Sequence, residues 1–115
     1  MRIIDRENRT DLAELQEMAA GMFGDLIKAV VDVQREMMAV DAELHADEES
    51  WLLQNGSDQA DLWGINLYPA RPGDDLVEFD SMINLRQSQG NRSRGVEDEA
   101  VRARIRTIVN SLVGR

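Results

Sequence analysis

The residues of this chain best suited to chemistry lie between Leu85 and Glu97, in the run Leu-Arg-Gln-Ser-Gln-Gly-Asn-Arg-Ser-Arg-Gly-Val-Glu. No carboxylate stands between Asp80 and Glu97, although the whole chain carries 22 acidic side chains against 13 basic ones. Arg86, Arg92 and Arg94 sit there among Asn91, Ser93 and two glycines, just ahead of an amphipathic helical pattern. Backbone amides freed by Gly90 and Gly95, next to a helix N-terminus, can cradle an anion, and arginine adds forked donors. Two features weigh against an anion site. Glu97, Asp98 and Glu99 already occupy that helix start, and no phosphate-binding fingerprint is matched. The preferred reading therefore has the arginines tying the loop to carboxylates such as Glu78 or Asp80, or to a second subunit. Anion or ligand binding ranks second and direct catalysis third.

A second set of polar residues comes from strand alternation. Over Leu76–Arg86 it places Glu78, Asp80, Asn84 and Arg86 on one face of a strand, with Asn66 and Tyr68 joining them across the pairing. Carboxylates two residues apart on such a face lie about 7 Å apart, and one of them, if partly buried, can hold a raised pKa and act as acid or base. An ordinary solvated sheet face is the simpler account. A third cluster, Glu43, His45, Asp47, Glu48 and Glu49, offers a single histidine among carboxylates. Metal sites commonly need more nitrogen or sulfur than this, so no metal and no cofactor is expected. The methionines Met18, Met22, Met37 and Met38 are assigned to the core, as are Trp51 and Trp63.

These residues need a scaffold. At 115 residues the chain fits one domain over 1–115 with a core of its own. With no cysteine it has neither a disulfide framework nor a thiolate nucleophile. No signal-like apolar stretch opens the chain, and the most apolar window, 18–40, is broken by five charges, so a cytoplasmic protein without a membrane span is expected. Charge is uneven: residues 1–85 hold 19 acidic and 6 basic side chains, a net −13, while residues 86–115 hold 3 and 7, a net +4. The acidic bulk repels a phosphate backbone, which argues against general duplex nucleic-acid binding. A local cationic patch remains able to hold a small anion. The basic set is twelve arginines and one lysine, a skew attributed mainly to base composition.

In chain order, Ile3–Ile4 reads as a short strand. A helix follows from Thr10 or Asp11, where Glu14 completes a capping box. Its apolar period can be followed to Val40 as one helix of about thirty residues. Gly21 and Gly24, each costing a helix interior roughly 1 kcal/mol, instead favour helix, strand, strand, with Ile27–Val33 and Met37–Val40 joined at Gln34-Arg35-Glu36. Ala42–Asn55 reads as a second helix with Leu44, Trp51 and Leu52 inward. Leu62–Tyr68 and Leu76–Arg86 read as a hairpin around Pro72-Gly73. The last helix runs from about Val96 to Val113, with Val101, Ile105, Ile108 and Leu112 as its apolar stripe and an Asp98–Arg102 pair.

Three motifs, Glu43-Leu44-His45-Ala46-Asp47, Leu62-Trp63-Gly64-Ile65-Asn66-Leu67-Tyr68-Pro69 and the run Ser88 to Asp98, resemble those of an uncharacterised prokaryotic family, a domain of unknown function of about this length. The resemblance covers nearly the whole chain and implies a small α+β domain, with no activity, cofactor or catalytic residue attached. One departure is Asp41-Ala42, where the resembling sequences have glycines.

Together the patterns give a two-layer α+β domain: an antiparallel sheet of about four strands with three helices mainly on one face. The other face is then a pocket for a small anionic or polar ligand, or a homodimer surface. Its candidate residues are Arg86, Asn91, Arg92, Ser93, Arg94, Glu78, Asp80 and Asn66. A non-enzymatic binding or interaction module leads. The alternative is a small enzyme on a phosphorylated or nucleotide-like substrate, with Glu78 or Asp80 as base and Arg92 and Arg94 as anion clamp.

Overall fold

The computed structural model describes residues 1–115 and is built on a five-stranded antiparallel sheet. Its strands are β1 (Arg2–Ile4), β3 (Ile27–Asp32), β4 (Met37–Val40), β5 (Leu62–Leu67) and β6 (Val77–Glu78), in spatial order β1-β4-β3-β5-β6. A separate two-stranded parallel pair joins β2 (Thr10–Asp11) to β7 (Val113–Gly114), tying the start of the first helix to the end of the last. The three helices are α1 (Leu12–Ala20), α2 (His45–Gln54) and α3 (Glu99–Leu112). None of them is long and apolar enough to cross a membrane.

Local chemistry explains most of these boundaries. Asp11 caps α1 by accepting from the Glu14 amide at 2.8 Å. The Glu14 carboxylate turns to Arg2 and Thr10 instead, so only half of the expected capping box forms. Gly21 closes the helix, as two glycines in four residues predict, and the chain enters the β3–β4 hairpin. Its turn is held by Asp32, which is fully buried. One carboxylate oxygen accepts from the Gln34 and Arg35 amides, and the other from the Ser57 hydroxyl at 2.6 Å. Asp41 follows β4 with φ of 68°, a left-handed conformation that favours glycine.

Side-chain alternation sorts the sheet into two faces. Ile27, Ala29 and Val31 of β3, Met38 and Val40 of β4, and Trp63, Ile65 and Leu67 of β5 point to the first face. There they meet Leu15 and Ala19 of α1 and Ile105, Ile108, Val109 and Leu112 of α3. Val30, Met37, Ala39 and Leu62 point to the second face, where Leu52 and Trp51 of α2 cover them with Ile83. Two helices thus share one face, and α2 lies on the other.

Several expected boundaries shift. Helix α2 starts at His45 rather than Ala42, and Leu44 ahead of it is exposed, not inward. Helix α3 begins at Glu99 behind an Asp98 cap. Arg102 forms no pair with Asp98; its guanidinium donates to the Val96 and Glu97 carbonyls. Met22 is exposed rather than core.

The largest correction concerns Leu76–Arg86. Only Val77 and Glu78 pair as a strand; the chain then drops into a short 3-10 turn at Met82–Asn84. The reason lies opposite, at Gly64. A Cβ there would sit 2.5 Å from both Cβ and Oγ of Ser81, so the missing side chain lets the 81–84 segment press onto the sheet face. Asn84 then replaces the strand. Its side-chain oxygen accepts from the Gly64 amide at 2.8 Å, and its nitrogen donates to the Gly64 carbonyl at 2.9 Å, satisfying both backbone groups a ladder neighbour would have bonded.

Candidate functional site

The arginine loop is a self-contained structure. Asn91, almost wholly buried, donates to the carbonyls of Asn84, Ser93 and Gly95 and accepts from the Glu97 amide. Arg86 and Asn91 exchange backbone hydrogen bonds, and Gly90 turns between them at φ of 73°, a conformation that favours glycine. The amides of Arg92 and Ser93 do form a nest for an anion, but the Glu97 carboxylate of the same chain fills it.

The three arginines diverge. Arg86 turns inward, stacks over Trp63 at 4.2 Å and donates to the Gln59 and Leu62 carbonyls and the Gln89 side chain. Burial holds its pKa below the usual arginine value, with the Glu49 charge opposing. Arg92 is exposed. Arg94 reaches back to Asp80, Nε to Oδ1 at 2.6 Å. A concavity of about 430 Å³ beside the loop, between Trp63, Asn91 and Val101, is lined by Glu97 and Asp98 and by no cation.

A different concavity, on the second face of the sheet, gathers the other candidates. This cleft of about 230 Å³ lies between the N-terminus of α2 and the 80–83 segment. Asn66, Asp80 and Arg94 line it together with Lys28, His45 and Ser81, and Leu44, Ala46, Met82 and Ile83 form its apolar wall. Lys28 and Asn66 are directly opposed across the β3–β5 ladder, which sets their side chains next to one another on that face. Asn66 is 8% exposed; its amide nitrogen donates to Glu78 Oε1 at 2.9 Å and lies 3.3 Å from the Asp80 carbonyl. Tyr68 donates its hydroxyl to the same Glu78 oxygen at 3.2 Å. Burial, together with that carboxylate, raises the Tyr68 pKa.

Of the eight sequence candidates, the cleft thus holds Asn66, Asp80 and Arg94, with Glu78 directly behind. Arg86, Asn91, Arg92 and Ser93 lie outside its lining. Sequence reasoning misses Lys28 and weighs His45 only as a metal ligand. The available signal is their singularity: they are the only lysine and the only histidine in 115 residues.

His45 Nε2 lies 2.8 Å from the Ile65 carbonyl. A carbonyl only accepts, so Nε2 carries the proton and the neutral ring has its lone pair on Nδ1. Burial holds the imidazole below its ordinary pKa of 6.5. The bond to Ile65 opposes this, the Lys28 and Arg94 charges add to it, and Asp80 opposes it. The ring is therefore neutral at pH 7.

Among the cleft residues, Asn66 Oδ1 is buried and has no hydrogen-bond partner. The chain forms four ion pairs, and none of them uses Lys28. The Lys28 ammonium stands 5.1 Å over the Phe23 ring, leaving its three donors without a carboxylate. In chemical terms the cleft is lined by an unpaired lysine, the Asp80–Arg94 ion pair, an Asn66 side chain with an unmet buried oxygen, a histidine and an apolar wall.

No functionally curated protein and no solved structure matches the chain. One family model does, over residues 2–112, and on that match the chain belongs to DUF5674, a protein family of unknown function.

Proposed function

We propose that this chain is a non-enzymatic binding module whose second-face cleft takes a small ligand bearing a negative charge. The carrying observation is Lys28, the one lysine of the chain, left without an acidic partner beside Asn66 in a cleft of a protein with net charge −9. Its charge is thus free to meet an incoming anion. Binding is favoured over acid–base work because both nearby carboxylates are engaged, Glu78 by Asn66 and Tyr68, and Asp80 by Arg94. The enzyme alternative also needs Arg92 beside Asp80, and Arg92 is not among the residues lining the cleft.

Titration of ¹⁵N-labelled protein with acetate, isovalerate and inorganic phosphate tests this reading. Amide shifts are expected to centre on Lys28, His45, Asn66 and Ser81 and to vanish in Lys28→Met. Shifts centred on residues 90–97 would move the site to the arginine loop, and no shift with any anion would overturn the reading. A second reading, self-association over the cleft, draws on the exposed Leu44 and Met82 at its wall. Sedimentation velocity across a concentration series tests it, and a constant monomer would remove it.

A further inference from the structure

The polarity of the cleft floor is fixed, and this narrows the ligand. The Asn66 amide nitrogen faces the Glu78 carboxylate and the Asp80 carbonyl. Turning the amide over would set its oxygen against both, leaving three acceptors and no hydrogen among them. The unpartnered atom is therefore an oxygen, Oδ1, on a side chain more than nine-tenths buried. His45 gives its Nε2 hydrogen to the Ile65 carbonyl, and in the neutral ring Nδ1 is then an acceptor. Lys28 stands across the ladder from Asn66, with Arg94 in the same cleft. A bare anion satisfies Lys28 and leaves Asn66 Oδ1 without a hydrogen.

Resting on the anion-cleft reading above, the geometry points to a more specific ligand class: a 2-amino or 2-hydroxy carboxylic acid with a short apolar side chain. Its carboxylate meets Lys28, its N–H or O–H meets Asn66 Oδ1, and its side chain lies along Leu44, Ala46, Met82 and Ile83. The size agrees. A cleft of about 230 Å³, open to solvent on one side, accommodates an acid the size of leucine. Oδ1 is closed off from water in the unliganded cleft, so a ligand N–H or O–H that reaches it supplies the partner that this acceptor lacks. Glu78 and Asp80 beside it favour an ammonium, whereas Lys28 and Arg94 favour a neutral hydroxyl, so the two sources of the donor are separated by experiment.

Calorimetric titration of the wild-type chain with L-leucine, 2-hydroxy-4-methylpentanoate and 4-methylpentanoate provides the test. At least one of the first two is expected to bind about tenfold or more tightly than the third, which lacks only the donor. Equal affinity for all three overturns the donor assignment and leaves the anion cleft standing, while binding by none overturns both. In Asn66→Ala the preference is expected to fall to near unity. A folded Asn66→Ala that keeps the tenfold preference overturns the role given to Oδ1. If that variant does not fold, the three-ligand comparison on the wild type still tells a required donor from a bare carboxylate.

Discussion

Glu48 shows how a single residue can set the pH response of the fold. It is fully buried on the inner side of α2, with Oε2 accepting from the Ala42 amide at 3.0 Å and Oε1 unpartnered. Burial pushes its pKa from 4.5 up to about 9, against the Ala42 hydrogen bond and the Lys28 charge. The folded state therefore holds the proton more tightly than the unfolded chain. The stability this contributes is complete below about pH 4.5 and is lost progressively as pH rises toward 9. Glu48→Gln keeps an acceptor for Ala42 and removes the titration. It is expected to match the wild type near pH 4 and to exceed it by about 1–3 kcal/mol at pH 8. Urea denaturation at pH 4, 6 and 8 measures this, and a gap that does not widen with pH would contradict it. Some of this residue-scale chemistry is legible in the sequence: residue type and alternation alone single out Asn66, Asp80 and Arg94. Lys28 stands out in the sequence only as its single lysine; its place beside Asn66 is not legible, because that depends on a ladder register between segments distant in the chain. Glu48 reads as a dipole residue of a solvated helix start; nothing local in its sequence reveals that it is buried.

At the scale of elements, legibility follows the range of the interaction that decides the structure. The glycine pair ending α1, the β-branched run of β3 and the apolar stripe of α3 are local signals, and all three elements form where those signals place them. The strand expected over Leu76–Arg86 stops after Glu78 although its neighbour, β5, runs on to Leu62. Gly64 admits Ser81, and Asn84 takes the place of a ladder. Asn84→Leu removes that substitute and leaves the Gly64 amide and carbonyl buried and unpaired. A loss of about 2–4 kcal/mol is expected from two unmet backbone groups, together with the lost bond to the Arg94 carbonyl. Gly64→Ala is expected to cost about 1–3 kcal/mol by a separate route, the forced retreat of Ser81. The two positions touch one contact, so the double variant is expected to lose less than the sum of the single losses. Additive losses in a denaturation cycle would mean that Asn84 and Gly64 do not act as one unit. The arginine loop obeys the same logic. Its residues look functional because they are polar and lack carboxylates, yet Asn91 and Glu97 consume the donors and acceptors that make them candidates.

For the whole molecule, the unequal halves of the core decide how it opens. The first-face core joins 19 buried residues from the sheet, α1 and α3, whereas the second-face core under α2 joins 5. Apolar burial is the main source of cohesion, so α2 is held by much less of it than α3. The α2 N-terminus has no side-chain cap, while Asp98 accepts from two amides at the start of α3. Helix α2 should therefore open in a sub-global step that leaves β3, β5 and α3 intact. Hydrogen exchange followed by mass spectrometry is expected to show Glu48–Leu52 amides exchanging about tenfold or more faster than those of Ile105–Val109. Equal protection would mean the fold opens only as one unit. The cleft connects this motion to binding, since His45 is both the first residue of α2 and part of the cleft lining. A ligand bridging Lys28 and Asn66 beneath it stabilises the closed arrangement and slows exchange in α2, while α3, on the other side of the sheet, is unchanged until global opening is reached. Protection gained equally in α2 and α3 would place the ligand somewhere that stabilises the whole fold, and protection gained only in residues 86–97 would return the site to the arginine loop.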